Sequence, residues 1–534
     1  MPDRRSSSHS EQDARAVTIT TEQLAGALRQ PQAYPHTPAE VGFEQTQMSL
    51  LFFAGDHVYK VKKPVNLGYL DYSTLEARKR FCEQEVALNR RLCEETYLGI
   101  VPIVHAEGGL RVEGDGPAVE YAVKMRRLPQ DRMLDRLLEE GEATAAMLEA
   151  VARRIAAFHE KAQTDEDISR YGSIESIKYN TDENFDQTAC RIGDTISRRD
   201  YEAIRAYTDS FMENHANLFE RRIERGRIRD CHGDLHAAHV CMTDPVCVYD
   251  CIEFNDRFRY GDVASEVAFL AMDLDRLGRR DLSRAFVDAY VDTSGDDDAA
   301  ALMTFYKCYR AYVRGKVEGF KLGDAMIADD VKRRTRWLAR RYFLLARGYA
   351  TEQGTLIIMS GLTGSGKSTI APDLARLLSG TVISSDVIRK RLARREPEER
   401  VYEPFGKGLY SEEWTGRTYR AMMDAAEPVL AQGSCAILDA SFLLKHQRRL
   451  AYDLAERTGA RPLFVECTAP DEVLRARLAA RARQDSASDG RPEILDGQRH
   501  IAEEAVEEEA RATHVRVRTD QDRERLLEEV WRHL

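Results

Sequence analysis

The residues with the most specific chemical meaning lie in GLTGSGKST, residues 361–369. Their spacing satisfies G-x-x-x-x-G-K-S/T at every fixed position. The nine are Gly361, Leu362, Thr363, Gly364, Ser365, Gly366, Lys367, Ser368 and Thr369. In such a loop, glycines let successive backbone N–H groups turn inward around phosphate oxygens, and the following helix points its positive end at the same anion. Lys367 is spaced to reach the β- and γ-phosphates, and the Ser368 hydroxyl to sit on Mg²⁺. An apolar run at 356–359 precedes the loop, and Leu374, Leu377 and Leu378 give an amphipathic stretch after it. Strand, loop and helix in that order predict a nucleoside triphosphate site.

A second set of chemistry-bearing residues lies far upstream. Residues 48–54 (MSLLFFA) and 57–61 (HVYKV) read as two strands joined by a Gly55-Asp56 turn. Lys60 falls inside the second strand, and Glu85 falls in a helical pattern over 75–92. A strand lysine followed by a glutamate on the next helix is a pair able to hold α- and β-phosphates. Downstream, residues 231–262 contain His232-Gly233-Asp234-Leu235, with His239 five residues after Asp234. The apolar strand 246–249 then ends in Asp250. An aspartate in a loop can accept the proton of an attacking hydroxyl, and a second at the end of the next strand can hold Mg²⁺.

Here the chain resembles the aminoglycoside phosphotransferase family, which has a kinase-like fold and the pattern H-G-D-x-x-x-x-N followed by a hydrophobic strand and an aspartate. The resemblance covers about residues 40–340. It implies Lys60 and Glu85 as the phosphate-holding pair, Asp234 as catalytic base and Asp250 as metal ligand. His239 stands where the family has a metal-binding asparagine, and an imidazole suits Mg²⁺ poorly because that ion prefers oxygen. Three readings stay open: a site working with one well-held metal, a site preferring another divalent ion, or a lobe that binds nucleotide with little or no transfer. Cys231, His232, His236, His239 and Cys241 also raise a zinc reading, although their spacing matches no finger pattern.

The elements that must position the downstream loop read as alternating strands and helices. Strands are expected at 381–384, 434–438, 463–467 and 514–517, besides the one before the loop. Such alternation predicts a parallel, doubly wound sheet with ligands at the carboxyl ends of the strands. The loop, Asp386 and Asp439 all fall at such ends. Asp439 fits an acid that holds a metal-bound water, against the plainer reading of an aspartate ending a strand. Asp386 and Arg389, a D-x-x-R after the second strand, resemble the small P-loop kinases that phosphorylate hydroxyls: gluconate kinases, the kinase half of polynucleotide kinases and zeta-type toxins. That resemblance covers about residues 354–534 and implies that Asp386 activates the acceptor hydroxyl while Arg389 helps bind the acceptor. Arg477 and Arg481, one helical turn apart in LRARLAARAR, suit either a phosphate-facing lid or a solvated helix. Arg310 and Arg314 are likewise one turn apart, and a solvated basic face is their expected role.

The expected architecture is therefore an α/β multidomain chain. Residues 1–15 form a disordered tail, 16–350 a protein-kinase-like two-lobed α+β domain, and 354–534 a P-loop NTPase domain. The pairing resembles the bifunctional aminoglycoside phosphotransferase/ATP-binding protein group. Residues 164–195 look polar and irregular, and 334–348 form a mixed basic and apolar helix leading into the second domain. No apolar run approaches the ~20 residues of a membrane span, and residues 1–16 lack the apolar stretch of a secretory signal. Ten scattered cysteines without a C-x-x-C pair fit reduced thiols in a cytoplasm. A net charge of −11 argues against a broad nucleic-acid-binding surface. The leading expectation is transfer of the γ-phosphoryl group from Mg²⁺-ATP to a hydroxyl of a small molecule or nucleic-acid end. A nucleotide-sensing regulator with a weak first lobe, and a 5′-polynucleotide kinase, are the other two classes.

Overall fold

The structure is a computed structural model describing residues 19–68, 70–324, 327–396, 399, 406–481, 492–504 and 512–534, with backbone only at 481 and 492. It divides into two compact units: Met1–Ala143 with Cys231–Tyr260, and Thr144–Asp230 with Gly261–Leu534. The expected boundary at 353–354 falls inside the second unit.

The first unit is built on a six-stranded antiparallel sheet. Its spatial order is Val41–Gln45, Ser49–Ala54, His57–Lys62, Ala118–Arg126, Tyr97–Ala106, Gly109–Val112. Side chains alternate between faces of a strand, so His57–Lys62 sorts its residues cleanly. Tyr59 and Val61 join Phe52, Ala122 and Ile103 on one face, under the helix Thr21–Leu28. Val58 lies on the other face with Val123 and Met125, against Cys82 and Val86 of the helix Leu75–Cys93. Lys60 and Lys62 share the parity of Val58 and so are delivered to that helix. Thr74 caps the helix by accepting from the Ala77 N–H, and Arg90 and Arg91 sit at its negative end.

Residues 231–260 belong to the same unit. Val240–Cys241 pairs with Cys247–Val248, a much shorter strand than the expected 246–249. Cys247 is joined to Cys93 at the end of the helix Leu75–Cys93 by a disulfide, with Cα atoms 4.8 Å apart. The expectation of ten reduced thiols is corrected at this pair; 154 residues separate the two, and no local spacing signals their approach.

The second unit begins as an all-helical assembly that includes Ala145–Lys161, Arg198–Asn214, Val263–Arg276, Asp297–Lys321 and Asp329–Thr351. The expectation of irregular structure over 164–195 is corrected by the helix Ile174–Thr188. Its inward face carries Thr181, Asn184 and Thr188 beside Ile177 and Phe185, so polar residues hide the apolar period. Arg310 is half-buried rather than on an open basic face: its Nε donates to the Ser265 carbonyl and hydroxyl, both at 3.1 Å. Arg314 lies over the Tyr342 ring and pairs with Glu318.

A five-stranded, fully parallel sheet follows, ordered Thr381–Ser384, Cys435–Asp439, Thr355–Ser360, Arg461–Thr468, Thr513–Arg518. The central strand is buried along its whole length. Ile370, Leu374 and Trp531 cover one face, and Tyr419, Met422 and Leu454 the other. The helix Asp329–Thr351 packs on the same side as Trp531, through Trp337. Arg340 there makes a bidentate pair with Glu528 at 2.7 and 2.8 Å. None of the described helices is long and apolar enough to cross a membrane.

Candidate functional site

In the parallel sheet, register alone assembles a site. Asp439 lies opposite Met359 on one neighbour and Ser384 on the other, so the loop after Ser360, Asp386 two residues beyond Ser384, and Asp439 come to one edge. Gly361 adopts φ +136°, and a Cβ there would stand 2.3 Å from the Cys467 carbonyl oxygen, so no side chain is admissible. Gly366 starts the helix Lys367–Leu378 in a left-handed conformation, leaving the first-turn N–H groups at the loop. Lys367 Nζ donates to the Gly361 and Leu362 carbonyls at 2.7 and 2.9 Å, curled over the loop it would share with a phosphate. Thr363 N–H donates to Gln498 Oε1 at 2.7 Å.

Lys367, Ser368, Asp386, Arg389 and Asp439 line one cavity of about 480 Å³, a size typical of small-molecule sites. Asp386 and Arg389 share one face of the helix Ser385–Leu392 and form an ion pair at 3.1 Å. The Arg389 guanidinium lies 4.7 Å from the Tyr410 ring, which also lines the cavity. Arg477, on the helix Asp471–Arg481, donates to Thr519 Oγ1 and the Thr519 carbonyl at 2.8 and 2.7 Å. It also approaches the Gly364 carbonyl at 3.4 Å, so it sits against the loop rather than in solvent. The side chain of Arg481 lies outside the described residues.

The oxygens of Ser368 and Asp439 form a donor pair suited to Mg²⁺, and both belong to the same cavity lining.

The antiparallel unit holds a second cluster. Lys60 Nζ is 2.8 Å from Glu85 Oε1 and 2.6 Å from Asp250 Oδ1. Glu85 is fully buried, and its other oxygen lies 2.6 Å from Lys62 Nζ. Lys62 also pairs with Glu253, to which Tyr72 donates at 2.5 Å. Burial works against the charge of Glu85, but Lys60 and Lys62 together hold its carboxyl below the usual range. Asp250 is likewise held far down: burial opposes, and Lys60 and His239 together outweigh it. Its backbone stands in the left-handed region at φ +63°, a conformation that costs energy for a residue with a side chain. Gly233, also at positive φ, brings the loop so close to Phe258 that a Cβ would lie 2.9 Å from its carbonyl oxygen.

Asp234 and His239 lie side by side. His239 Nδ1 is 2.9 Å from the Asp234 carbonyl oxygen, and its Nε2 is 3.6 Å from Asp250 Oδ2. Burial, with the His236 ring tilted alongside at 3.9 Å between ring centres, pushes the His239 imidazole down to about 4. His236 Nε2 lies 3.6 Å from Asp234 Oδ2. The cluster imagined for zinc does not include Cys241, whose thiol is directed at the Pro129 carbonyl. Sequence reasoning missed Lys62 and Glu253. The available signal was K-x-K on one strand, which puts both lysines on the helix-facing side.

These two sheets define a kinase-like domain and a P-loop NTPase-type domain on one chain. A family model described as "Phosphotransferase enzyme family" matches residues 74–303, and one described as "AAA domain" matches residues 356–505. The uncharacterized protein Rv2004c of Mycobacterium tuberculosis is 33% identical over 452 residues, spanning 84% of this chain and 87% of that protein. The chain belongs to the same family as this mycobacterial protein, joining a phosphotransferase domain to a P-loop kinase-type domain. Among solved structures, the APS kinase CysC of M. tuberculosis in complex with AMPPNP and APS is 20% identical. It covers 34% of this chain and 96% of its own, with a TM-score of 0.23. Kti12 of Chaetomium thermophilum in complex with ADP-AlF3 is also 20% identical, covering 33% and 98%, with a TM-score of 0.27.

Proposed function

We propose that the protein transfers the γ-phosphoryl group of ATP to an alcohol, with the chemistry centred on the cavity beside the P-loop. The observation carrying this is that a phosphate cradle and a carboxylate able to act as base line one 480 Å³ cavity. The loop 361–369 and Lys367 hold the triphosphate. Asp386 takes the proton of the acceptor hydroxyl as its oxygen bonds to the γ-phosphorus and the bond to the ADP oxygen breaks. Arg389 orients Asp386 and the acceptor, and Arg477, resting on Gly364 and Thr519, adds positive charge beside the loop. Ser368 and Asp439 would hold Mg²⁺, which would offset charge on the phosphates. The acceptor is a hydroxyl on a small molecule or a nucleic-acid end.

The first unit is assigned a parallel role: Lys60, fixed by Glu85, grips a second nucleotide, with Asp234 as base and Asp250 as metal ligand. Radiolabelled ATP offered with a panel of metabolites and short oligonucleotides tests the enzyme assignment. Labelled acceptor is expected with the parent, falling by on the order of 100-fold in Asp386→Asn. No labelling by the intact chain, or equal labelling by the variant, contradicts it.

A further inference from the structure

His239 is placed where an oxygen ligand is expected, and its surroundings fix which nitrogen faces the metal position. Its Nδ1 lies 2.9 Å from the backbone carbonyl oxygen of Asp234. A carbonyl only accepts, so Nδ1 carries the proton and Nε2 presents its lone pair. That lone pair faces Asp250 Oδ2 at 3.6 Å. Two acceptors thus look at each other across a gap. Two ligands bonded to one ion at about 2.1 Å, near the tetrahedral angle, stand about 3.4 Å apart. The opposition of His239 and Asp250 therefore has the span of a shared dication.

The remaining contacts look like ligand supports. An Nδ1–H donated to a backbone carbonyl is how metal-bound histidines are commonly held in tautomer and orientation. Lys60 fixes the other oxygen of Asp250 at 2.6 Å, leaving Oδ2 directed at the histidine. Beside this pair, ligand atoms of Asp234, His236 and His239 lie within 4.8 Å of one another, a group that does not take in Asp250. Nitrogen and carboxylate together do not fit Mg²⁺, which demands near-ideal octahedral oxygen coordination and sheds water reluctantly. Imidazole is instead a good ligand for later first-row dications.

We propose that the antiparallel unit binds a transition-metal dication through His239 Nε2 and Asp250, in preference to Mg²⁺. This rests on the assignment of Asp250 as a metal ligand and on nothing at the P-loop site.

The test is Co²⁺ alone, added to the nucleotide-free full-length chain in a large excess of Mg²⁺. Without nucleotide the result does not depend on phosphotransfer, so failure here and failure of the enzyme assignment are separate outcomes. The parent is expected to develop visible d–d absorption that saturates and persists in Mg²⁺. His239→Asn is expected to weaken Co²⁺ at least tenfold, and Asp250→Asn similarly. A second readout needs no variant: Co²⁺-loaded parent should give a paramagnetically shifted, exchangeable proton resonance from the retained Nδ1–H. Absence of that resonance, equal Co²⁺ affinity in folded His239→Asn, or displacement of Co²⁺ by equimolar Mg²⁺ would each overturn the proposal.

Discussion

Glu85 has two lysines on its two oxygens and no exposure to solvent. Removing its charge takes one of two carboxylate partners from each lysine, leaving Lys60 with Asp250 and Lys62 with Glu253. Breaking a buried pair from one side costs about 3 kcal/mol or more, so Glu85→Gln should destabilise the protein by that order at neutral pH. The pH dependence has a definite sign. A carboxyl held below its usual range contributes stability above the unfolded value, near about 4.3. That contribution fades as pH falls through the lower folded value. Urea unfolding across this range should show the parent and variant curves converging toward acid; curves that stay parallel would contradict the pairing. Lys60, Glu85, Asp234, His239 and Asp250 were legible as separate residues because each motif is short and ordered along the chain. Their sharing of charge was not. Lys62 and Glu253 lie 191 residues apart and meet only through the fold.

At the scale of elements, the parallel sheet was legible because its strands are apolar runs bounded by loops, and each expected strand lies within two residues of its observed limits. The antiparallel hairpin was equally clear. What failed was any element whose buried face is polar, as in Ile174–Thr188, or whose strand is two residues long, as in Cys247–Val248. Glycines give a sharp element-level test. Gly361→Ala forces a Cβ to within 2.3 Å of the Cys467 carbonyl at a φ that disfavours it. It should lower the unfolding free energy by about 1–3 kcal/mol and abolish nucleotide uptake at the P-loop. Gly416→Ala, inside the helix Glu412–Ala431 with its nearest neighbouring atom 4.0 Å away, should instead stabilise by up to about 1 kcal/mol. Thermal melts of the two variants check both signs; equal effects would contradict the assigned backbone geometry.

At the scale of the whole molecule, the chain carries two arrangements of unrelated design that we propose grip phosphate. One uses backbone N–H groups and a helix terminus after a parallel strand, with Lys367 curled over them. The other uses a strand lysine braced by a helix glutamate, with Asp250 on the same ammonium. The division into compact units was less legible, since Trp337 and Arg340 attach the helix Asp329–Thr351 to the P-loop sheet through Trp531 and Glu528, contacts with no local sequence signature. Isothermal titration of the full-length chain with a non-hydrolysable ATP analogue, in Mg²⁺ plus Mn²⁺, tests the two-site account most directly. Two equivalents of nucleotide are expected for the parent, and one each for Lys367→Met and Lys60→Met. A single equivalent in the parent that disappears entirely in Lys367→Met would contradict it.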